Sequence, residues 1–95
     1  MAAGDVTTDQ QSISNGARLT IQPGAGAEWV VHNLYYGGAV ELRRVSSGTD
    51  LVFDTDAGVG ARLGYVWHVT NSVYMEIKNT SGGAIVIGYD GVVTK

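Results

Sequence analysis

Apolar and polar residues alternate along much of the chain, which is the pattern of strands with one buried face. In residues 73–78 every second residue is apolar. Those apolar residues are Val73, Met75 and Ile77. A period of two places them on one face of a strand and their polar neighbours on the other. Turn residues follow at 79–83, and a second apolar segment covers 84–89. The pattern predicts two strands joined by a turn.

The same signals recur through the rest of the chain. Further strands are predicted at 11–14, 18–22, 28–36, 39–45, 51–55 and 61–69. Turn residues separate them roughly every eight to twelve residues, and no segment has convincing helical periodicity. We therefore predict an all-β protein, an antiparallel β-sandwich or jelly roll of about eight short strands.

The alternation also predicts which residues face the core. Both faces of residues 28–36 are bulky, as in a central strand or a strand between a core and a subunit interface. Strict alternation puts Trp29, Val31, Asn33 and Tyr35 on one of these faces. Gly37-Gly38 predicts a hairpin into the next strand. The inward residues of the later strands are predicted as Val40 and Leu42; Leu51, Phe53 and Thr55; and Leu63, Tyr65, Trp67 and Val69.

The first 17 residues differ from the rest. They are small and polar, and only Val6 and Ile13 offer apolar surface for burial. The composition of residues 1–17 therefore predicts one of two structures: a polar N-terminal arm that becomes ordered on a partner, or an edge strand. Residues 18–95 predict a single β-sandwich domain, since no linker divides them and the length suits one core.

Composition narrows the classes of partner. Six basic residues face nine acidic ones, for a net charge of −3. The one contiguous basic pair, Arg43-Arg44, would point to opposite faces of a strand, so the electrostatic footprint of nucleic-acid binding is missing. The start of the chain resembles no signal peptide, and no apolar run reaches membrane-spanning length. Charged residues make up 16% of the chain, and such a low fraction suits a surface that meets other proteins.

Candidate chemistry is sparse. The chain has no cysteine, which excludes disulfides, thiolate zinc sites and a cysteine nucleophile. Asp54-Thr55-Asp56 has the spacing of a calcium loop but lacks the later bidentate glutamate, so a solvated turn is favoured. No Gly-x-Ser-x-Gly nucleophile motif occurs. We predict that the protein is not an enzyme and needs no cofactor or metal.

Two weaker alternatives concern the histidines and the aromatic residues. His32 and His68, with a glutamate, would suit a two-histidine, one-carboxylate metal site, although their spacing does not require it. Tyr36 and Tyr74 are the better exposed aromatic candidates for stacking on a sugar. Asn79-Thr80-Ser81 matches a glycosylation sequon, but we interpret it as a turn.

Four stretches of the chain carry a resemblance to a known class of protein. They are residues 28–34, 37–42, 50–56 and 70–82. Together they resemble small β-sandwich virion proteins of tailed bacteriophages, most closely the head decoration, or cement, proteins. The resemblance spans most of residues 19–95, and none of its motifs is catalytic.

The resemblance implies a structural function. A decoration protein would form a homo-oligomer, with a trimer favoured, and bind across subunits of the major capsid protein. It would be made in the host cytoplasm and sit on the capsid exterior, with no nucleic-acid or membrane partner. Seating across several subunits would multiply modest contacts. The candidate interface residues are Val6, Ile13, Trp29, Tyr35, Tyr36, Tyr74, Tyr89 and Asp90.

Two other functions remain as alternatives. One is a carbohydrate- or receptor-binding β domain of a phage tail fibre or lectin, which predicts exposed aromatic residues clustered on one surface. The other is a small metal-dependent barrel enzyme, which predicts that His32 and His68 converge.

Overall fold

The computed structural model describes residues 2–95, which form nine strands and no helix. The strands are β1 (Val6–Ile13), β2 (Arg18–Ile21), β3 (Glu28–Tyr36), β4 (Val40–Ser46), β5 (Thr49–Asp56), β6 (Gly60–Arg62), β7 (Trp67–Thr70), β8 (Val73–Asn79) and β9 (Ile85–Val93). They form two antiparallel sheets that pack face to face. The predicted all-β antiparallel sandwich is confirmed.

The strand order is that of a jelly roll. Sheet A has the order β1-β9-β3, with both β6 and β7 paired to the far edge of β3, and sheet B has the order β2-β8-β4-β5. Because β6 and β7 pair with successive parts of β3, they act as one interrupted strand. Along the chain, β1 pairs with β9, β2 with β8, β3 with β6 and β7, and β4 with β5. This is the pairing of a chain folded in half and rolled into two sheets.

The core lies between the sheets and draws on both. Its fully buried members come mainly from β3 and β9 in sheet A and from β2, β4 and β8 in sheet B. The largest are Ile21, Leu34, Leu42, Ile77 and Ile87. Val40 and Leu42 point inward as predicted. Trp29, Trp67 and Ile85 are partly buried against this cluster.

The first strand completes sheet A. All eight residues of β1 pair with β9, and Thr7 and Ile13 are buried. Of the two alternatives for residues 1–17, the structure has the edge strand, which is longer than predicted; residue 1 lies outside the described part of the chain. The sandwich therefore begins at β1 and not at residue 18.

A hairpin joins β4 to β5. Ser47 and Gly48 join β4 to β5 with φ values of 51° and 78°, as a type I′ turn requires. The hairpin predicted at Gly37-Gly38 is wrong, because β3 belongs to sheet A and β4 to sheet B. There the chain crosses between the sheets against β9, and the Gly37 amide donates to the carbonyl of Val86 at 2.9 Å.

Two β-bulges shift the predicted faces. In β3 the register changes between Val31 and Asn33, so His32 is the extra residue. Alternation restarts after it, and Val31 and Leu34 are both fully buried. The prediction that Asn33 and Tyr35 share the face of Val31 is therefore wrong. In sheet B the second bulge leaves Phe53 without a partner in β4.

The predicted inward faces of residues 51–65 are also wrong, whereas Val69 is buried and Trp67 is partly buried, as predicted. Leu51, Phe53 and Thr55 are exposed because β5 is the edge strand of sheet B. The predicted strand 61–69 is broken into β6 and β7. At the break the backbone amide of Gly64, with φ of 73°, donates to the Asn33 side chain at 3.0 Å. The chain therefore leaves the sheet ladder at residues 63–66.

Candidate interaction surface

Exposed apolar residues concentrate on one side of the sandwich. Ten large apolar side chains of residues 2–95 are exposed, and seven of them fall between residues 51 and 66. These are Leu51, Val52, Phe53, Val59, Leu63, Tyr65 and Val66. They follow the side where β5, the edge of sheet B, meets β6 and β7, the edge of sheet A. We call this set the apolar side.

An arginine bridge connects the two sheets beside these residues. Arg62 of β6 binds the carboxylate of Asp54 at 2.6 Å and donates through Nε to the Tyr36 hydroxyl at 3.2 Å. That hydroxyl donates to Asp56 of β5 at 2.6 Å. Burial, and then the bond to Asp56, raises the pKa of Tyr36, while the same bond lowers the pKa of Asp56. The bridge holds the two sheet edges together, so the residues of the apolar side are fixed relative to one another.

A cavity of about 300 Å³ opens on this side, between β7 and the ends of β4, β5 and β8. Its lining is mostly apolar and aromatic: Arg44, Phe53, Val66, Trp67, His68, Val73, Tyr74 and Met75. Phe53 lines the cavity as the extra residue of the β5 bulge, where the alternation of the strand is interrupted. Tyr65 stacks on Trp67 with ring centroids 4.6 Å apart and planes 3° from parallel. The volume is at the lower end of the range for ligand pockets.

The outer face of sheet B differs, because most of its charges are paired. Arg18 binds Asp50 at 2.7 Å and Glu76 at 2.9 Å. Arg43 binds Glu41 at 2.7 Å and Asp50 at 3.0 Å. Exposed pairs of this kind add little stability individually, and they keep this face solvated. Hydrogen bonding by Arg18 lowers the pKa of Asp50.

These paired carboxylates predict a loss of stability in acid. The folded-state pKa values of Asp50 and Asp56 lie below the unfolded value of about 4. Each therefore contributes stability that is present above pH 4 and is lost as the pH falls through the folded pKa. We expect the free energy of unfolding to decline below about pH 4. Urea titrations across the acid range should show a shallower decline for the double variant Asp50→Asn/Asp56→Asn. An unchanged acid decline in that variant would contradict the assignment.

The structure separates the candidate interface residues into three groups. Ile13, Tyr36 and Tyr89 are buried in the core, and Trp29 is partly buried and stacks on Tyr89 at 6.2 Å. These four offer little surface to a partner. The others are at the surface: Val6, Tyr35 and Asp90 on sheet A, and Tyr74 at the cavity.

Val6, Tyr35 and Asp90 belong to the outer face of sheet A. The Tyr35 hydroxyl donates to Asp90 at 2.8 Å, and the Asn33 amide donates to the other carboxylate oxygen at 2.6 Å. The bond to Asp90 raises the pKa of Tyr35. Val6 lies across β9 from this cluster and is 68% exposed. This face is a second surface with little charge.

The sequence reasoning missed most of the apolar side. Leu51 and Phe53 have the alternation of a half-buried strand, and residues 63–69 have that of a longer strand. The one local signal was Val59, which stands between two glycines outside any apolar periodicity. Arg44, whose side chain lines the cavity, had no distinguishing signal at all.

The residues considered for metal binding do not come together into one site among residues 2–95. His32 in the β3 bulge has its Nδ1 2.7 Å from the carbonyl oxygen of Tyr65, and His68 lines the cavity. Within residues 2–95 no three or more His, Asp or Glu side chains lie close enough together to hold a metal ion. Asp54 and Asp56 are engaged by Arg62 and Tyr36. In the same part of the chain there is no helix that could span a membrane.

The sequon and the two sugar-stacking candidates have defined places. Asn79 is the last residue of β8 and is fully buried, and its side-chain amide makes four hydrogen bonds to the β8–β9 connection and to β1. Tyr36 is 3% exposed, so the prediction that it could stack on a sugar is wrong. Tyr74 is partly exposed at the cavity.

No protein-family model matches the chain, and no curated protein is significantly similar to it.

Proposed function

We propose that this protein is a structural virion protein that decorates a phage capsid by binding across major capsid protein subunits, without catalysis. The observation that carries the proposal is the apolar side. A monomer in water rarely exposes large apolar side chains in such a concentration, and a partner surface that covers them gains their transfer free energy. The resemblance to decoration proteins supplies the identity of the partner.

The fold and the dimensions support this function. Jelly rolls occur in viral capsid proteins and in lectins, so the fold is compatible with it but does not select it. The molecule measures 36 × 27 × 20 Å. A protein of this size can bury the roughly 800 Å² per partner of a standard interface on one side and keep other faces free.

Self-association is part of the proposal, with a trimer favoured. Each protomer of a cyclic trimer meets its neighbours through two different patches. The outer face of sheet A, with Val6 and Tyr35, offers a surface for such contacts beside the apolar side. A trimer would engage several capsid subunits at once, and its avidity would exceed the affinity of one contact.

An acidic substitution on the apolar side should weaken capsid binding. Leu63 is 61% exposed and is not among the residues that line the cavity, so Leu63→Asp should leave the fold intact while it places a charge in the contact. We expect at least a roughly ten-fold weaker affinity, since burying an unpaired carboxylate costs more than 1.4 kcal/mol. The measurement is co-sedimentation with shells of the major capsid protein encoded nearest to its gene, together with the solution mass of the free protein.

The matched control is Ala17→Asp. Ala17 is exposed between β1 and β2, the two strands at the sandwich edges opposite the apolar side. This variant should bind shells like the wild type. A clean monomer that does not sediment with shells, or equal weakening by both substitutions, would refute the proposal.

One observation favours a carbohydrate-binding function as the second candidate. Tyr65 is 45% exposed and stacks in parallel on Trp67 beside the cavity, which provides a flat aromatic surface. A glycan panel probed with the wild type and with Tyr65→Ala separates the two functions. Binding that disappears in Tyr65→Ala would favour the lectin function, and the absence of any bound glycan would favour the decoration function.

A further inference from the structure

Arg44 lies at the cavity with no acidic partner. On β4 its cross-strand neighbours are Leu51 and Met75, and its side chain lines the cavity. Among residues 2–95 it is the one arginine that forms no ion pair. No acidic residue lines the cavity, and the other ionisable residues that line it are His68 and Tyr74. The electrostatic character of this site favours an anionic group.

The protein's own carboxylates are already engaged. Each of its nine acidic side chains has a hydrogen-bond or ion-pair partner within residues 2–95. These side chains are Asp5, Asp9, Glu28, Glu41, Asp50, Asp54, Asp56, Glu76 and Asp90. A carboxylate for Arg44 is therefore most readily supplied by a different protein and not by a second copy of this chain.

The edge of β5 next to the cavity is open for strand pairing. β5 pairs with β4 on one side only, and no other strand of residues 2–95 pairs with its free edge. Arg62 covers the carbonyl of Thr55, so the open stretch lies before that residue and includes Leu51–Phe53. β5 has neither the lysine nor the proline that commonly blocks an edge strand, and its one irregularity is the bulge at Phe53. Such an edge accepts an extended peptide through backbone hydrogen bonds.

From these three features we propose that an extended segment of a partner protein adds as a strand along β5, inserts an apolar side chain into the cavity and places a carboxylate against Arg44. This inference rests on the proposed function, in which the segment belongs to the capsid protein. Backbone pairing provides affinity, while the cavity and Arg44 provide specificity, since arginine binds a carboxylate through two parallel hydrogen bonds.

The test is selection of binders from a library of random ten-residue peptides, followed by affinity measurements on the selected peptides. We expect these peptides to combine an acidic with a large apolar residue. Arg44→Gln should weaken their binding at least about ten-fold, as expected for the loss of a charge-assisted bidentate pair. Lys78→Gln removes the same charge from another cation without an ion pair, and it should change the affinity less than about two-fold. Of two peptides methylated on the two alternate sets of backbone nitrogens, the one whose methylated nitrogens face β5 should not bind, because it cannot pair with β5.

Several results would overturn the inference. Selected peptides without acidic residues, equal effects of Arg44→Gln and Lys78→Gln, or unchanged binding of both methylated peptides would each do so. Binding of free glucuronic acid that depends on Arg44, without peptide binding, would assign the site to an acidic sugar instead. If shells bind the wild type and Arg44→Gln equally, the capsid function stands and the peptide site fails. If acidic peptides bind but shells do not, the peptide site stands and the capsid function fails.

Discussion

Substitution of Gly91 by alanine is expected to lower the free energy of unfolding by about 3 kcal/mol, at the upper end of overpacking effects. Gly91 is buried on β9, opposite Val31 at the position where the β3 bulge begins. An added Cβ would lie 2.2 Å from the carbonyl oxygen of Val30 and 2.8 Å from the Cα of Val31. Both obstacles are backbone atoms, so no rotamer change can relieve the clash. The central pair β3–β9 would have to separate.

Gly83→Ala is the matched control. A Cβ at Gly83 would meet no atom within 4 Å, and its φ is not in the left-handed region. Alanine there reduces the freedom of the unfolded chain and should leave stability unchanged or raise it by a few tenths of a kcal/mol. Urea unfolding followed by tryptophan fluorescence measures both variants. A Gly91→Ala variant within about 0.5 kcal/mol of the wild type would show that the sheet yields easily at the bulge.

The variant Asn79→Asp is expected to lose about 4 kcal/mol at pH 7, as when a buried hydrogen-bonding network is broken and an unpaired charge is left inside. The Asn79 amide donates to the carbonyls of Ile13 at 2.8 Å and Gly83 at 2.7 Å. Its oxygen accepts from the Ser81 amide at 2.8 Å and the Ser81 hydroxyl at 2.7 Å. All four positions of the side chain are used. A carboxylate would turn a charged oxygen toward two carbonyl oxygens in a fully buried place.

The effect of Asn79→Asp should also depend on pH. Burial and the two facing carbonyls would raise the pKa of the introduced carboxyl above its unfolded value. The protonated form can donate one of the lost hydrogen bonds, so the stability deficit should shrink as the pH falls from 7 toward 4. The control is Asn15→Asp, since the exposed Asn15 only accepts a hydrogen bond, from the Gly82 amide at 3.0 Å. Urea titrations at both pH values measure the two variants. A pH-independent deficit for Asn79→Asp would exclude a charge effect.

Features that depend on a few neighbouring residues were predicted well. The turns that separate the strands follow from residues next to one another in the chain, and the inward faces of Val40 and Leu42 follow from a strand that keeps its register. The number and spacing of strands also agree closely, with nine in the described residues 2–95 where about eight were predicted. Turn residues and alternation are local properties, so they can be read without knowing which strands pair.

Features that depend on pairing between distant segments were not predicted. Gly37-Gly38 has the residues of a hairpin, but the chain crosses there to the other sheet. His32 has no mark of a bulge, yet it reverses the alternation of β3 because β9 fixes the register on both sides of it. Phe53 behaves in the same way on β5. A shift of the pairing register by one residue exchanges the two faces of a strand, and the residues of the strand itself do not indicate where such a shift occurs.

For this protein, periodicity and turn chemistry alone were enough to establish one all-β domain of short antiparallel strands with a scarcity of catalytic groups. The apolar side, the cavity and the isolated position of Arg44 came only from the folded chain. Leu51 and Phe53 have the alternation of core residues, and they are exposed because β5 lies at an edge that no strand in the described part of the chain covers. Burial is a property of what packs on a face, and that is set by partners far away in the chain.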